Sequence, residues 1–204
     1  ILQELPQRPF NLKCSGMINH VGRKRHSSFM IINSRIANTF IVGVPKAGTT
    51  SLVEQLVQSE SVFSPPSMKE PRFFYIDRVM SENDPLHYFL QKNSVLQFED
   101  YKDLYRDRPE RYLIDASTLY LHYAEIVIPR MLNVCSNGCD TKIIIILRNP
   151  FYRLISAYNH MTRVGQETLK LHSALEAEDS REAAGYEAFW LYGKASLYFR
   201  GVKQ

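Results

Sequence analysis

Residues 41–51 read IVGVPKAGTTS and gather one lysine, Lys46, and three hydroxyls, on Thr49, Thr50 and Ser51, around Gly48. Such a set suits a phosphate-type anion, because main-chain N–H groups and hydroxyls donate to its oxygens and the lysine adds a point charge. Gly43 and Gly48 are separated by four residues, as the phosphate loop G-x-x-x-x-G-K-[ST] requires, but Thr49 and Thr50 stand where that motif has Lys and Ser/Thr. The lysine lies inside the loop instead, misplaced for the β/γ-phosphates of a nucleoside triphosphate. The loop Lys46, Ala47, Gly48, Thr49, Thr50 and Ser51 therefore suits a phosphate ester with one more group beside it. Arg148 and Ser156 make a second set in KIIIILRNPFYRLISAY, residues 142–158.

The elements around these groups are legible in the hydrophobic pattern. An apolar run at 39–42 precedes the first loop, and Leu52, Val53, Leu56 and Val57 follow at helical spacing, so residues 39–59 read as strand, loop and helix. Ile143 to Leu147 form an unbroken β-branched and apolar run, which predicts a strand over 142–147 buried on both faces of a parallel sheet. Arg148 then falls at the carboxyl end of that strand, where open α/β sheets bind ligands. Pro150 suits the first turn of a helix over 150–163, and Arg153 and Ser156, three apart, share one face of it. Two anion sites on one sheet edge imply a nucleotide phosphorylated at two places.

Elsewhere the pattern predicts short strands at 62–63 and 112–115. It predicts short helices at 86–91 and 98–105, a helix over 119–132 kinked or broken at Pro129, an exposed acidic helix over 172–184, and helical pieces at 186–192 and 197–204. Residues 69–75 read as a loop or short helix. Strands alternating with helices argue an α/β fold, a parallel central sheet flanked by helices.

With these motifs in place the chain resembles the sulfotransferases that use 3′-phosphoadenosine 5′-phosphosulfate. PKAGTTS (45–51) matches their 5′-phosphosulfate loop and RNPFYRLISAY (148–158) their 3′-phosphate segment. KEPRFF (69–74) is similar to the carboxylate-bearing segment of the glycan-type, Golgi-like and related bacterial branch. The resemblance covers roughly residues 38–204 and implies a P-loop-like sulfotransferase domain there, with residues 1–37 as an N-terminal arm. It implies in-line transfer of a sulfuryl group to a hydroxyl or amine, adenosine 3′,5′-bisphosphate as the product, and no metal. It makes Glu70 the general base and Lys46 the charge beside the leaving oxygen. Lys69 and Arg72 would hold an anionic acceptor or the sulfuryl group, and His160, four residues after Ser156, is a rival base. The acceptor expected is a carbohydrate or other small metabolite; Ala116 stands where heparan-type members carry a lysine, which argues against heparan sulfate. Members continue past the equivalent of Gln204 with a strand, helices and a glycine-containing loop, so the sequence reads as C-terminally truncated. The competing functions are a P-loop kinase or NTPase and a non-catalytic nucleotide-binding fragment.

Composition is compatible with each of these. The 204 residues, 45% hydrophobic and 12% aromatic, make one domain with a real core. A net charge of +4 fits an anionic ligand without demanding nucleic acid. No apolar run approaches the ~20 residues of a membrane span, and neither a signal-peptide pattern nor an N-x-[ST] sequon occurs. These features point to the cytoplasm, with the Golgi lumen as the alternative if an N-terminal anchor has been removed. Cys135 and Cys139 are either a local disulfide or two reduced thiols beside a loop. The basic cluster at 23–26 reads as a solvated arm.

Overall fold

The computed structural model describes residues 35–135 and 140–203. The basic cluster at 23–26, the arm up to residue 34 and the Cys135–Cys139 question lie outside the described residues and side chains. Four strands, β1 (Thr39–Gly43), β2 (Val62–Phe63), β3 (Tyr112–Asp115) and β4 (Lys142–Ile145), form one sheet in the order β2-β3-β1-β4, and every pairing is parallel. Helix α1 (Thr49–Leu56) connects β1 to β2. Helices α2 (Ile76–Val79), α3 (His87–Lys92) and α4 (Phe98–Asp103) lie between β2 and β3 in the chain, and α5 (Ala124–Cys135) leads from β3 to β4. Then come α6 (Pro150–Arg163), α7 (Leu171–Glu176), α8 (Glu178–Ala183), two 3-10 turns (Ala188–Trp190 and Lys194–Ser196) and α9 (Phe199–Val202). Among the described residues no helix is long and apolar enough to cross a membrane.

Strand β1 is buried along its whole length, and its alternation divides the core. Ile41 packs with Val53, Ile114 and Ala116 on one face, while Phe40 and Val42 belong to a larger aromatic cluster with Phe73, Phe74, Tyr101 and Tyr120 on the other. Coverage of both faces by helices and loops is the expected surrounding of a parallel sheet. The chain leaves β1 toward β2 through α1, but α5 later carries it from β3 across to β4 on the opposite side of β1. That reversal opens a crevice at the carboxyl end of β1.

Several sequence expectations need correction. Strand β4 is not buried on both faces: Ile143 is 51% exposed, Ile145 43% and Leu147 48%. It pairs with β1 alone among the described residues, and an apolar run reads the same whether one neighbour or two cover it. The strand assignment also ends at Ile145, although Ile146 still donates to the Gly43 carbonyl (3.0 Å) and accepts from Val44 N (2.7 Å). The helix expected over 119–132 starts only at Ala124, because residues 119–123 form turns tied by Leu121 N to the Val42 carbonyl (2.8 Å), and it continues through Pro129. The acidic helix expected over 172–184 is two helices, and it is not simply solvated. Glu178 is buried and accepts from Gly193 N (2.5 Å) and Lys194 N (3.0 Å), while Arg181 pairs with buried Glu167 at 2.7 Å. Of 197–204 only Phe199–Val202 is helical.

Three buried carboxylates, Asp115, Glu187 and Asp84, fix loops near the crevice. Asp115, at the end of β3, accepts from Ser117 N (3.0 Å) and Ser117 Oγ (2.6 Å) through one oxygen, and from Tyr101 (2.9 Å) and Tyr120 (2.8 Å) hydroxyls through the other. Burial raises its pKa to about 6 despite these donors. Glu187 accepts from Tyr75 OH (3.1 Å) and Phe189 N (2.9 Å), and Asp84 accepts from Glu187 N (2.6 Å) and the Trp190 indole (3.0 Å). Burial, aided by the charge of Asp84 and opposed by Phe189 N and Arg72, lifts Glu187 to about 7.

Raised carboxyl pKa values have a stability consequence of definite sign. Below pH 4.5 Glu187 is protonated whether the chain is folded or not; between 4.5 and 7 the unfolded chain loses the proton and the folded one keeps it. Stability therefore falls as pH rises through this window, and Asp115 acts in the same direction up to about 6. Glu187→Gln should remove about 2–3 kcal/mol of the decline between pH 5 and pH 7, which denaturant titrations at the two pH values would measure. An unchanged pH slope in the variant would show that Glu187 titrates normally.

Candidate functional site

The site is built on the carboxyl ends of three strands. After β1 the chain turns through Val44, Pro45, Lys46 and Ala47 into α1. Lys46 sits in the left-handed region at φ 70, a conformation that costs a non-glycine residue about 1–2 kcal/mol and marks a loop held by its surroundings. Gly48 follows at φ 96 as N-cap of α1, and no heavy atom lies within 4 Å of where its Cβ would be. A side chain there is excluded by backbone conformation and would in any case intrude on the open space over the helix end. No side chain caps α1, so its first-turn N–H groups remain available to an anion. Gly43 serves differently: a Cβ on it would come within 2.9 Å of Leu121 Cβ, so the close passage of the 118–121 turn requires glycine.

The loop is held from the side by α6 and the segment before it. Asn149 caps α6, accepting from Phe151 N (3.1 Å) and Tyr152 N (3.3 Å), with Pro150 in the first turn. Arg148 donates to the Lys46 carbonyl (2.9 Å), and Arg153, 1% exposed, donates to the Pro45 carbonyl (3.3 Å), the Tyr192 carbonyl (3.0 Å) and Ser196 Oγ (3.2 Å). Arg153 thus shares the helix face of Ser156 but serves as the strut between α6 and the loop.

Two connected spaces open here. One, about 380 Å³, is lined by Lys46, Arg148, Ser156, His160 and Arg163 together with Tyr152, Ile155 and Asn159, and no acid lines it. Crowding of positive groups shows in their titration. Lys46 is lowered by burial, then by Arg163 and Arg148; His160 is lowered by burial, then by Lys46 and Arg163. A bound polyanion would relieve this repulsion. The second space, about 810 Å³, shares Lys46, Arg148, Ser156 and His160 with the first and adds Gly48, Thr49, Thr50, Lys69, Glu70, Arg72 and Thr118.

Among the described residues Glu70 is the only carboxylate on either wall. Its side chain is 19% exposed, and three groups hold it: Lys69 Nζ at 3.2 Å, Arg72 Nη2 at 3.3 Å and Thr118 Oγ1 at 3.3 Å. Lys69 also donates to Thr50 Oγ1 (3.0 Å), joining the carboxylate to the first turn of α1. Arg72 is buried, with φ 57, and donates to the carbonyls of Glu70 (3.2 Å) and Asn93 (2.7 Å). Its backbone N–H donates to Ser117 Oγ (2.9 Å), so the Asp115 network reaches Glu70 through Ser117 and Arg72.

A sulfotransferase domain is matched over residues 37–204. The chain belongs to the sulfotransferase family. Among solved structures it resembles a sulfotransferase from Alicyclobacillus acidocaldarius, at 35% identity and a TM-score of 0.73, over 83% of this chain and 67% of that one. No protein with a curated description matches it significantly in sequence.

In this sulfotransferase most of the residues singled out in the sequence meet at one place. Lys46, Gly48, Thr49, Thr50, Lys69, Glu70, Arg72, Arg148, Ser156 and His160 line the larger space. Ala47 and Ser51 do not: Ala47 is half-buried against the core with its N–H on the Val44 carbonyl (3.2 Å), and Ser51 is exposed on α1. Lys69 and Arg72, expected to hold an anionic group, both pair with Glu70 in the ligand-free site. Three contributors were not named as site residues from the sequence. Thr118 reaches Glu70 from the β3 turn, Arg163 joins the cationic space, and Asp115 anchors the support. Only Arg163 had a local signal, since Ser156, His160 and Arg163 recur at i, i+4, i+7 on one helix face.

Proposed function

We propose that the chain transfers a sulfuryl group from 3′-phosphoadenosine 5′-phosphosulfate to an acceptor hydroxyl, and that residues 38–204 carry this activity. One observation carries the reading: an acid-free cationic space meets, at Lys46, a second space that holds a single, triply supported carboxylate. The donor's two anionic ends fit this arrangement. The free amides of α1 with Thr49 and Thr50 suit the 5′ end, and Arg148, Ser156 and Arg163 suit the 3′-phosphate. When bound, the donor supplies an electrophilic sulfur and a bisphosphate leaving group. The chain's own residues do the rest. Glu70 takes the proton of the attacking hydroxyl, a general-base role worth about 10²–10⁴ in rate. Lys46 places its ammonium where negative charge develops on the departing oxygen. Lys69, Arg72 and Thr118 orient Glu70. His160, lowered by burial and neighbouring cations, stays neutral near pH 7.

Competition calorimetry tests the donor assignment. Adenosine 3′,5′-bisphosphate should bind more than tenfold tighter than AMP or than ATP with magnesium, because charge-assisted contacts are worth roughly 1.5–3 kcal/mol each. Arg148→Ala and Arg163→Ala should each erase most of that preference while leaving AMP affinity nearly unchanged. Equal affinities for AMP and the bisphosphate in the wild type would refute the 3′-phosphate site. A stronger competitor in ATP with magnesium would favour a P-loop kinase.

A further inference from the structure

Beyond Glu70 the larger space changes character. Leu86 and Phe89 come from the start of α3, Met161 from the last turn of α6, Val164 from just after α6, and Phe189 from the 3-10 turn Ala188–Trp190. These five apolar side chains share the wall of the space with Gln166, Thr118 and the charged and hydroxyl groups described above. Phe89 and Val164 are each 49% exposed, so apolar surface is presented openly and not packed away. Phe189 is fixed twice over: its N–H donates to Glu187, and Arg72 lies 5.9 Å from the centre of its ring. Lys69 and the Nη atoms of Arg72 are already engaged, while Arg72 Nε is buried with no hydrogen-bond partner among the described residues. Lys69 is spent on Glu70 and Thr50, and Arg72 on Glu70 and two main-chain carbonyls.

From this arrangement we propose that the acceptor is a neutral hydroxyl compound on an apolar body, an aryl or other hydrocarbon-rich alcohol, and not a carbohydrate. This rests on the sulfuryl-transfer reading for its chemistry but on the wall alone for its specificity. A sugar would bring several hydroxyls against side chains that cannot hydrogen-bond, leaving them desolvated and unpaired. A sulfated or carboxylated glycan would need free cations near Glu70, and those present are engaged. A flat or hydrocarbon body gains from displacing water off Phe89, Val164 and Phe189 while its one hydroxyl meets Glu70. An 810 Å³ space is of the size that holds such a molecule together with the sulfuryl end of the donor.

The test uses 2-naphthol as probe, followed by its fluorescence, on the full-length gene product saturated with adenosine 3′,5′-bisphosphate. Methyl glucoside, followed by calorimetry, is the polar comparison. Saturable 2-naphthol binding is expected, with methyl glucoside at least about tenfold weaker. Val164→Asp and Phe89→Ser both alter half-exposed positions, which limits their effect on folding. Each should weaken 2-naphthol about tenfold or more and leave the bisphosphate dissociation constant within about twofold. The proposal is overturned if 2-naphthol shows no saturable binding, if methyl glucoside binds more tightly, or if both variants bind 2-naphthol as the wild type does. Repeating the titration without nucleotide reads the wall even where the bisphosphate fails to bind, so the donor assignment and the acceptor class fail separately.

Discussion

Glu70→Gln should lower turnover by about 10²–10⁴ while bisphosphate affinity changes by less than about threefold. The change keeps the side chain's length and shape but removes the carboxylate from the cavity walls. Its supports, Lys69, Arg72 and Thr118, are donors placed for a carboxylate, so an amide nitrogen would face either Lys69 or the pair Arg72 and Thr118 where an oxygen now accepts. Nucleotide binding is spared because the acid-free cationic space lies on the other side of Lys46. Single-turnover rates with saturating donor, together with calorimetry of the bisphosphate, separate the two effects. Normal turnover in the variant would move the base role to His160, which already favours its neutral form.

Lys46→Ala should lower turnover by about 10²–10³, the usual loss when a donor to a developing oxyanion is removed. The pH profile offers a sharper reading than the rate alone. Burial, Arg163 and Arg148 lower the Lys46 pKa from 10.5 in the ligand-free protein. The ammonium is the active form, so kcat/KM should fall as pH rises through a value below that of an ordinary lysine. A bound polyanion restores the charged form, so the alkaline limb of kcat should lie higher than that of kcat/KM. Both limbs should vanish in Lys46→Ala. Limbs that persist there would belong to another group.

What the sequence reveals and what it hides divide along a physical line. The parts proposed to face phosphate are local: β1, its loop and α1, and Arg148 with Ser156 at and after the start of α6, are each specified within about twenty residues by glycine, proline and apolar spacing. The boundaries of β3 and α6 are legible for the same reason. The fate of long charged side chains is not, because it depends on what tertiary neighbours offer them. Arg72 reads as a cation reaching for an anionic group beside Glu70, yet it is buried, with the Asn93 carbonyl and Glu70 as partners from elements brought together by the fold. Arg181 and Glu178 sit in what reads as a solvated acidic helix, yet Glu167 and the amides of Gly193 and Lys194 bury them. The exposure of β4 is likewise invisible, since a run of isoleucines says nothing about how many strands flank it. The proposed acceptor wall assembles from α3, the end of α6 and a 3-10 turn, three segments far apart in sequence with no shared motif.

The most direct measurement follows radiolabelled sulfur from 3′-phosphoadenosine 5′-phosphosulfate, with an acceptor panel of phenols, hydrocarbon alcohols and sugars, for the wild type and Glu70→Gln. Label should pass to an acceptor hydroxyl with one adenosine 3′,5′-bisphosphate released per transfer, and the variant should all but abolish the transfer. Label that never leaves the donor in the presence of any acceptor, or transfer of the γ-phosphate of ATP in its place, would contradict sulfuryl transfer at this site.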